Sequence, residues 1–256
     1  MITWTDVTKR VTGDEAKKLL SASNDKKYWD KTKGIFKVDP GRWRDAQKQE
    51  LEYWFANSES VPCQYYDYKM INRSIPANLG KTIEIGCGPC PQLTHFTKKM
   101  EHVTLLDPLL ENLVQLPICE YRSGRFGDYV PELICDSAET VMICEEYDTV
   151  LCIACLEHVS NAEMVLDNLI KIVKPGGIIV VMERVFDGMV GTKHLTPDIY
   201  YDKRRPIKLY KQTLLDWAKQ LTVIKQSWLP SVHQFDIQLK NVESLVGIYK
   251  KPKYSR

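Results

Sequence analysis

The chain has 256 residues, 44% of them hydrophobic and 27% charged, with a net charge of +2. A chain of this length buries roughly 70–75% of its unfolded surface, so it needs neither disulfides nor a metal to hold a core. The composition excludes a disordered tail, a coiled coil and a collagen-like chain, and 35 basic against 33 acidic residues leave no global field to draw it to nucleic acid.

No apolar run approaches 18 residues, so no membrane insertion is expected. The start, Met1-Ile2-Thr3-Trp4, lacks a basic flank followed by an apolar stretch, so no secretory signal is expected. Eight cysteines are present, several inside apolar runs such as Val150-Leu151-Cys152-Ile153. They read as reduced thiols packing as small hydrophobes in a cytoplasmic protein.

Residues 1–79 are charged and aromatic without a clear strand. They read as an N-terminal helical extension or lid, and residues 80–256 as the main domain. Asp39-Pro40-Gly41 is a turn signal, and Arg42 to Phe55 reads as a helix with positions 43, 46, 51 and 54 on one face. The aromatic cluster Tyr65-Tyr66-Asp67-Tyr68 either lines a pocket or seals the join between the two regions.

Residues 80–183 alternate β-branched runs with helical patterns, the mark of a parallel sheet with crossover helices. Lys81 to Ile85 is a strand that runs into Gly86-Cys87-Gly88-Pro89-Cys90-Pro91. A helix carrying Leu93, Phe96 and Met100 is expected next. Val103 to Leu106 is a second strand, closed by Asp107-Pro108. Leu133 to Cys135 is a third, closed by Asp136-Ser137, and Thr149 to Ile153 is a fourth. A helix from about Asn161 to Val173 follows, with Ser160 and Glu163 at capping-box spacing. Lys174-Pro175-Gly176-Gly177 ends it, and Ile178 to Met182 is a fifth, buried strand.

After residue 183 the alternation loosens. Phe186 to Pro206 is a long connection of the functional or mobile kind. Its Lys203-Arg204-Arg205 run reads more simply as a solvated face than as an anion site. Lys211 to Leu221 reads as a helix, and 222–224 and 245–249 as two last strands.

Three chemistries compete for the glycine turn. A dinucleotide site needs a third glycine where Pro91 stands, so a nicotinamide cofactor is disfavoured. Cys87-Gly88-Pro89-Cys90 matches the thioredoxin dithiol motif letter for letter, but Gly86 replaces the preceding tryptophan and the chain is too long for that domain. A zinc site from the two C-x-x-C pairs, the second being Cys152 and Cys155, fails on spacing. No metal is expected.

The third is S-adenosylmethionine. Glu84-Ile85-Gly86-Cys87-Gly88-Pro89 resembles the first motif of class I methyltransferases. Asp107 sits where that family keeps its ribose-binding acid, and Asp136-Ser137 resembles its adenine-binding pair. Leu156-Glu157-His158-Val159 and Leu169 through Gly177 resemble the signature of the family's broad small-molecule branch. The resemblance implies a Rossmann-like α/β fold with a mostly parallel seven-stranded sheet and helices on both faces. It also implies S-adenosyl-L-methionine as cofactor, held by Glu84, Gly86, Cys87, Gly88, Asp107, Pro108, Asp136, Ser137 and a backbone oxygen near Ile153. Arg42-Trp43 through Gln47 and Tyr53-Trp54 resemble methyltransferases of glycan assembly, without fixing a substrate.

The implied activity is methylation of a small molecule or sugar-type metabolite. A protein or nucleic-acid methyltransferase, or a non-catalytic binding or scaffold protein, are the alternatives. Alignment carries most of such a displacement, and a base is required only for a poorly acidic hydroxyl. His158 and His194 are the candidates for it. Quinone-related members hold a divalent metal through this Glu-His pair and a further Glu, but here that position is Ala154. Tyr28, Trp29, Tyr65, Tyr66, His158 and His194 are the candidate substrate contacts.

Overall fold

The computed structural model describes residues 25–58, 68–186, 204–230 and 242–253. Tyr65, Tyr66, Lys203 and His194, together with most of the 186–206 connection, lie outside the described residues.

The sheet has seven strands. A two-residue strand β1 (Gly34–Ile35) precedes it, followed by helices α1 (Pro40–Ala56) and α2 (Tyr68–Ser74). Then come β2 (Lys81–Ile85), β3 (His102–Leu106), α3 (Leu110–Leu113), β4 (Glu132–Ile134), β5 (Tyr147–Ile153), α4 (Ala162–Ile172) and β6 (Val173–Phe186). The chain closes with β7 (Lys208–Leu209), α5 (Lys211–Ala218), β8 (Thr222–Pro230) and β9 (Val242–Lys250). The sheet order is β4-β3-β2-β5-β6-β9-β8. The pairs β3–β4, β2–β3, β2–β5 and β5–β6 are parallel, and β9 runs antiparallel to both its neighbours. β1 pairs with β7 in a small separate ribbon.

Period-two alternation divides the central strands between two cores. Ile83, Ile85, Val150, Cys152, Ile179 and Val181 pack on the face that carries α4 and α5. Leu105, Leu151, Ile153, Val180 and Met182 pack on the face that carries α2 and α3. Both faces of the parallel strands are therefore covered, as their uninterrupted apolar sequence requires. Residues before position 80 join both cores: Ile35 and Val38 in one, Tyr68, Ile71, Ile75 and Leu79 in the other.

Several local expectations are corrected. The Asp39-Pro40-Gly41 turn is the start of α1 itself. Asp39 is the N-cap, its Oδ1 accepting the Arg42 N–H at 2.8 Å, and Pro40 takes the first helical position, where its missing N–H costs nothing. The helix expected around Leu93 shrinks to a 3₁₀ turn, Gln92–His95, and Phe96 is extended. Leu93, Phe96 and Met100 are buried nonetheless, so their spacing marked a buried face without fixing a helix.

At α4 the expected capping box does not form. Asn161 caps instead, accepting the Met164 N–H, while the Ser160 hydroxyl and N–H both donate to Glu139. The glycines after α4 lie inside β6, in a bulge that sets 174–177 between the Tyr147–Val173 and Thr149–Ile178 pairings. Arg204 and Arg205 do not form a solvated run: they are 4% and 7% exposed.

Candidate cofactor and acceptor site

The chain steps outward from β2 to β3 to β4, then returns to β5 on the other side of β2. This reversal opens a crevice at the C-terminal ends of β2 and β5, the usual ligand position in an open parallel sheet. Gly86 follows β2, Asp107 follows β3 and Ala154 follows β5, while Asp136 lies just beyond the end of β4.

The turn after β2 folds over β3. The N–H groups of Gly86 and Cys87 both donate to the Leu106 carbonyl, at 2.7 and 3.2 Å. Gly86 and Gly88 have φ of 68° and 57°, the left-handed region where glycine costs least. Their tasks differ. A Cβ on Gly86 would lie 2.4 Å from Cys155 Sγ, so this glycine is required by packing. A Cβ on Gly88 would enter space whose nearest described atom is Trp54 Cζ2, at 3.9 Å. Among the described residues, Gly88 thus leaves room beside the turn, and the turn fits a ligand lying along it.

Asp107 is 9% exposed. Its Oδ2 accepts the Gly88 N–H at 3.0 Å and its Oδ1 the Leu109 N–H at 2.8 Å. Burial raises its carboxyl above the usual range, against the pull of those two N–H groups. Each carboxylate oxygen keeps a further lone-pair direction for a hydroxyl donor. Pro108, next along, accepts a contact from Cys135 Sγ through its carbonyl.

Asp136 is exposed, and its Oδ1 accepts both the Ser137 N–H and the Thr140 hydroxyl at 2.7 Å. The Ser137 N–H of this expected adenine-binding pair donates to its neighbour's carboxylate here. Glu84 also differs from expectation. It is 1% exposed, and its two oxygens accept the Gln92 and Leu93 N–H groups at 2.7 and 2.9 Å. It organises the turn from beneath, and burial pushes its carboxyl up to about 8. Cys87 is buried against Tyr121, and its thiol is raised well above the usual range by that burial.

A model of the methyltransferase domain family matches residues 48–222, more than half of the chain. The chain belongs to that family. It is a class I S-adenosylmethionine-dependent methyltransferase, and its Rossmann-like sheet is the one the sequence implied. The ubiquinone biosynthesis O-methyltransferase of Citrobacter koseri is 27% identical over 203 residues, covering 70% of this chain and 82% of that protein. The N-methyltransferase NodS of Bradyrhizobium japonicum, solved with S-adenosyl-L-homocysteine, superposes with a TM-score of 0.58 at 15% identity, covering 81% of this chain and all of the other. The [4+2]-cyclase SpnF superposes with a TM-score of 0.59 at 14% identity, covering 85% and 98%. At such identities the likeness is one of fold, and a cyclase on the same frame shows why the reaction must be argued from the site.

Beside the glycine turn of the methyltransferase, β5 ends in Ile153, buried at 3%, and is followed by Ala154, whose φ is 51°. Glu183 of β6 fixes this turn: its Oε1 accepts the Cys155 and Leu156 N–H groups at 2.6 and 2.8 Å. Helix α1 clamps the next residues. Trp43 Nε1 and Gln47 Nε2 donate to the His158 carbonyl at 3.1 and 2.8 Å. His158 Nδ1 lies 3.6 Å from Glu50 Oε2 and is a buried atom without a hydrogen bond. Glu50 Oε2 also meets Arg204 at 3.4 Å, and the Arg204 guanidinium lies 3.9 Å over the Tyr53 ring. Glu157 is buried between Arg184 and Arg205. Burial opposes its ionisation, but the two guanidinium charges hold its carboxyl well below the usual range.

Of the other substrate candidates, Tyr28 and Trp29 are among the described residues. The Tyr28 hydroxyl donates to Asp39, and Trp29 meets Tyr210 edge-on with ring centroids 5.5 Å apart. Tyr68 stacks on His95. Sequence reasoning missed Glu50, Gln47 and Tyr121, the last of which donates to the Gly88 carbonyl at 2.7 Å. Positions 43, 47, 50 and 54 share one helical face, the signal that could have found the first two. Among the described residues no three His, Cys, Asp or Glu side chains converge as metal ligands, and no helix is long and apolar enough to cross a membrane.

Proposed function

We propose that the enzyme methylates a small molecule or sugar-type metabolite. The observation that carries the site reading is the Asp107–Gly88 bond, which joins the glycine turn to the acid at the neighbouring strand end. In this reading Asp107 holds the ribose diol and Gly86 to Gly88 carry the methionine portion. Asp136 and Ser137 take the adenine, once the Asp136 carboxylate turns from its own neighbour. The Ile153 carbonyl receives the ammonium. Glu84, Cys87 and Pro108 shape these elements from below or beside.

The cofactor supplies a sulfonium methyl already activated for displacement. The chain's tasks are to align the acceptor, exclude water and, for a hydroxyl acceptor, take a proton. We assign the last task to His158, supported by its position after β5 and by Glu50 beside its Nδ1. Residues 1–79 act as an extension over the acceptor side of the 80–256 domain, a reading supported by the grip of α1 on His158. The small-molecule class is supported by the name of the 27%-identical relative. No disulfide joins any two of the described cysteines, which supports a reducing, cytoplasmic compartment.

Incubation with methyl-labelled S-adenosylmethionine and a panel of phenols, catechols, amino sugars, RNA and protein tests the reading. Label is expected in a small-molecule acceptor. Label only in RNA or protein overturns the substrate class, and tight cofactor binding with no transfer to any acceptor favours the binding-protein alternative.

A further inference from the structure

Helix α1 brings a tryptophan to the glycine turn. Trp43, Gln47, Glu50 and Trp54 stand at spacings of four, three and four, on one face. The first two hold the His158 carbonyl, and the third stands beside the His158 ring. These contacts pin the helix at the acceptor end of the site. Trp54, one turn beyond Glu50, is then carried to Gly88, where its Cζ2 is the nearest described atom to the missing Cβ. Its ring is only partly buried and packs against the second core, with Tyr53 edge-on at 5.6 Å. Anything lying along the open surface of Gly88 therefore meets an indole.

The cofactor and its product differ there in one property. The methyl donor carries a positive sulfonium, and the demethylated product carries a neutral thioether. An aromatic ring attracts a cation through its quadrupole and has no such preference for a thioether. We propose that Trp54 is a specificity-determining residue of the cofactor site, whose indole recognises the sulfonium and favours the methyl donor over the spent product. The inference rests on the cofactor placement proposed above.

The test is calorimetric titration of the full chain with S-adenosylmethionine and with S-adenosylhomocysteine. Trp54→Leu is expected to weaken the donor about 5- to 30-fold, the scale of a partly desolvated cation–π contact, and the product less than twofold. Equal weakening of both, or no change in either, overturns the proposal. If Trp54→Leu does not fold, stepwise fluorination of the Trp54 ring keeps the test open, because it drains the ring face of negative charge with little change in volume. Donor affinity must then fall with each fluorine while product affinity stays level, and a flat donor series overturns the proposal. A wild-type chain that binds neither ligand overturns the cofactor site itself. A chain that binds both, with no selective effect at Trp54, overturns only this inference.

Discussion

Asp107 Oδ2 accepts the main-chain N–H of Gly88 at 3.0 Å, so the acid that ends β3 also sets the shape of the turn that follows β2. One side chain thereby couples the ribose end of the proposed site to its methionine end. Asp107→Ala should weaken S-adenosylmethionine binding by about 1.5–3 kcal/mol, the scale of hydrogen bonds to a charged group. Asp107→Asn keeps one acceptor and should fall between. Calorimetry on variants with unchanged circular dichroism decides; undiminished affinity in Asp107→Ala removes the residue from the site.

Gly86 has no room for a side chain. Its missing Cβ would sit 2.4 Å from Cys155 Sγ and 2.8 Å from Cys155 Cβ, on a backbone with φ of 68°. Overpacking costs about 1–3 kcal/mol and a left-handed alanine about 1–2 kcal/mol more. Gly86→Ala should therefore lower stability by roughly 2–5 kcal/mol, and adding Cys155→Ala should recover only part of it, because the Cys155 Cβ remains. Urea unfolding of the two variants measures both values. Full recovery in the double variant would show that the thiol alone fills the space.

Glu84 and Glu183 are buried, and burial first of all pushes each carboxyl up to about 8. The folded state then binds more protons than the unfolded one between about pH 4.5 and about pH 8. Stability from these two groups is full below that window and falls as pH rises through it. Glu157 has the opposite shift, so its contribution is present above the ordinary carboxylate range and is lost toward acid. Thermal melts from pH 5 to pH 9 should show a decline that is shallower in Glu84→Gln. An identical slope in the variant would mean that Glu84 is ionised throughout.

The central strands and the glycine turn were legible because each is written locally. Apolar runs such as Ile178 to Met182 state a buried parallel strand, and Gly86-Cys87-Gly88 states a turn. The helix at Leu93 was misread because the spacing of Leu93, Phe96 and Met100 reports burial, which a 3₁₀ turn followed by extended chain satisfies equally. The buried Arg204 and Arg205 were beyond local reading. Their partners, Glu50 and Glu157, stand far away in sequence on α1 and after β5, and only the folded chain places a carboxylate beside each guanidinium.

Cys87 of the glycine turn is placed as a core residue. Cys87 is 3% exposed, 3.9 Å from the Tyr121 hydroxyl, and its thiol is raised by burial, whereas a reactive dithiol needs a depressed and accessible one. Cys90 Sγ contacts the Ile118 carbonyl at 3.7 Å. Double replacement by serine should leave cofactor affinity within about twofold, with a loss of roughly 1–2 kcal/mol in stability for burying a hydroxyl at Cys87. Loss of binding under mild oxidation, reversed by reductant and absent in the double variant, would make the pair a redox element after all.

Glu157 makes the strongest demand on the fold. It lies in the 3₁₀ turn Leu156–His158 after β5, is 7% exposed, and faces Arg184 of β6 and Arg205 before β7, so three separate pieces of chain meet at one carboxylate. Removing one partner of a buried pair leaves a charge without compensation, which costs about 3–5 kcal/mol, more than the intact pair contributes over an apolar replacement. Glu157→Gln should therefore destabilise by about that amount and flatten the acid limb of the stability profile. The neighbouring His158 carbonyl is held independently by Trp43 and Gln47, so cofactor affinity at a temperature where the variant is folded should change much less than stability. Chemical unfolding and calorimetry on the same sample separate the two. A stability loss below about 1 kcal/mol would show that the two arginines are compensated without Glu157, and would remove it as the keystone of this cluster.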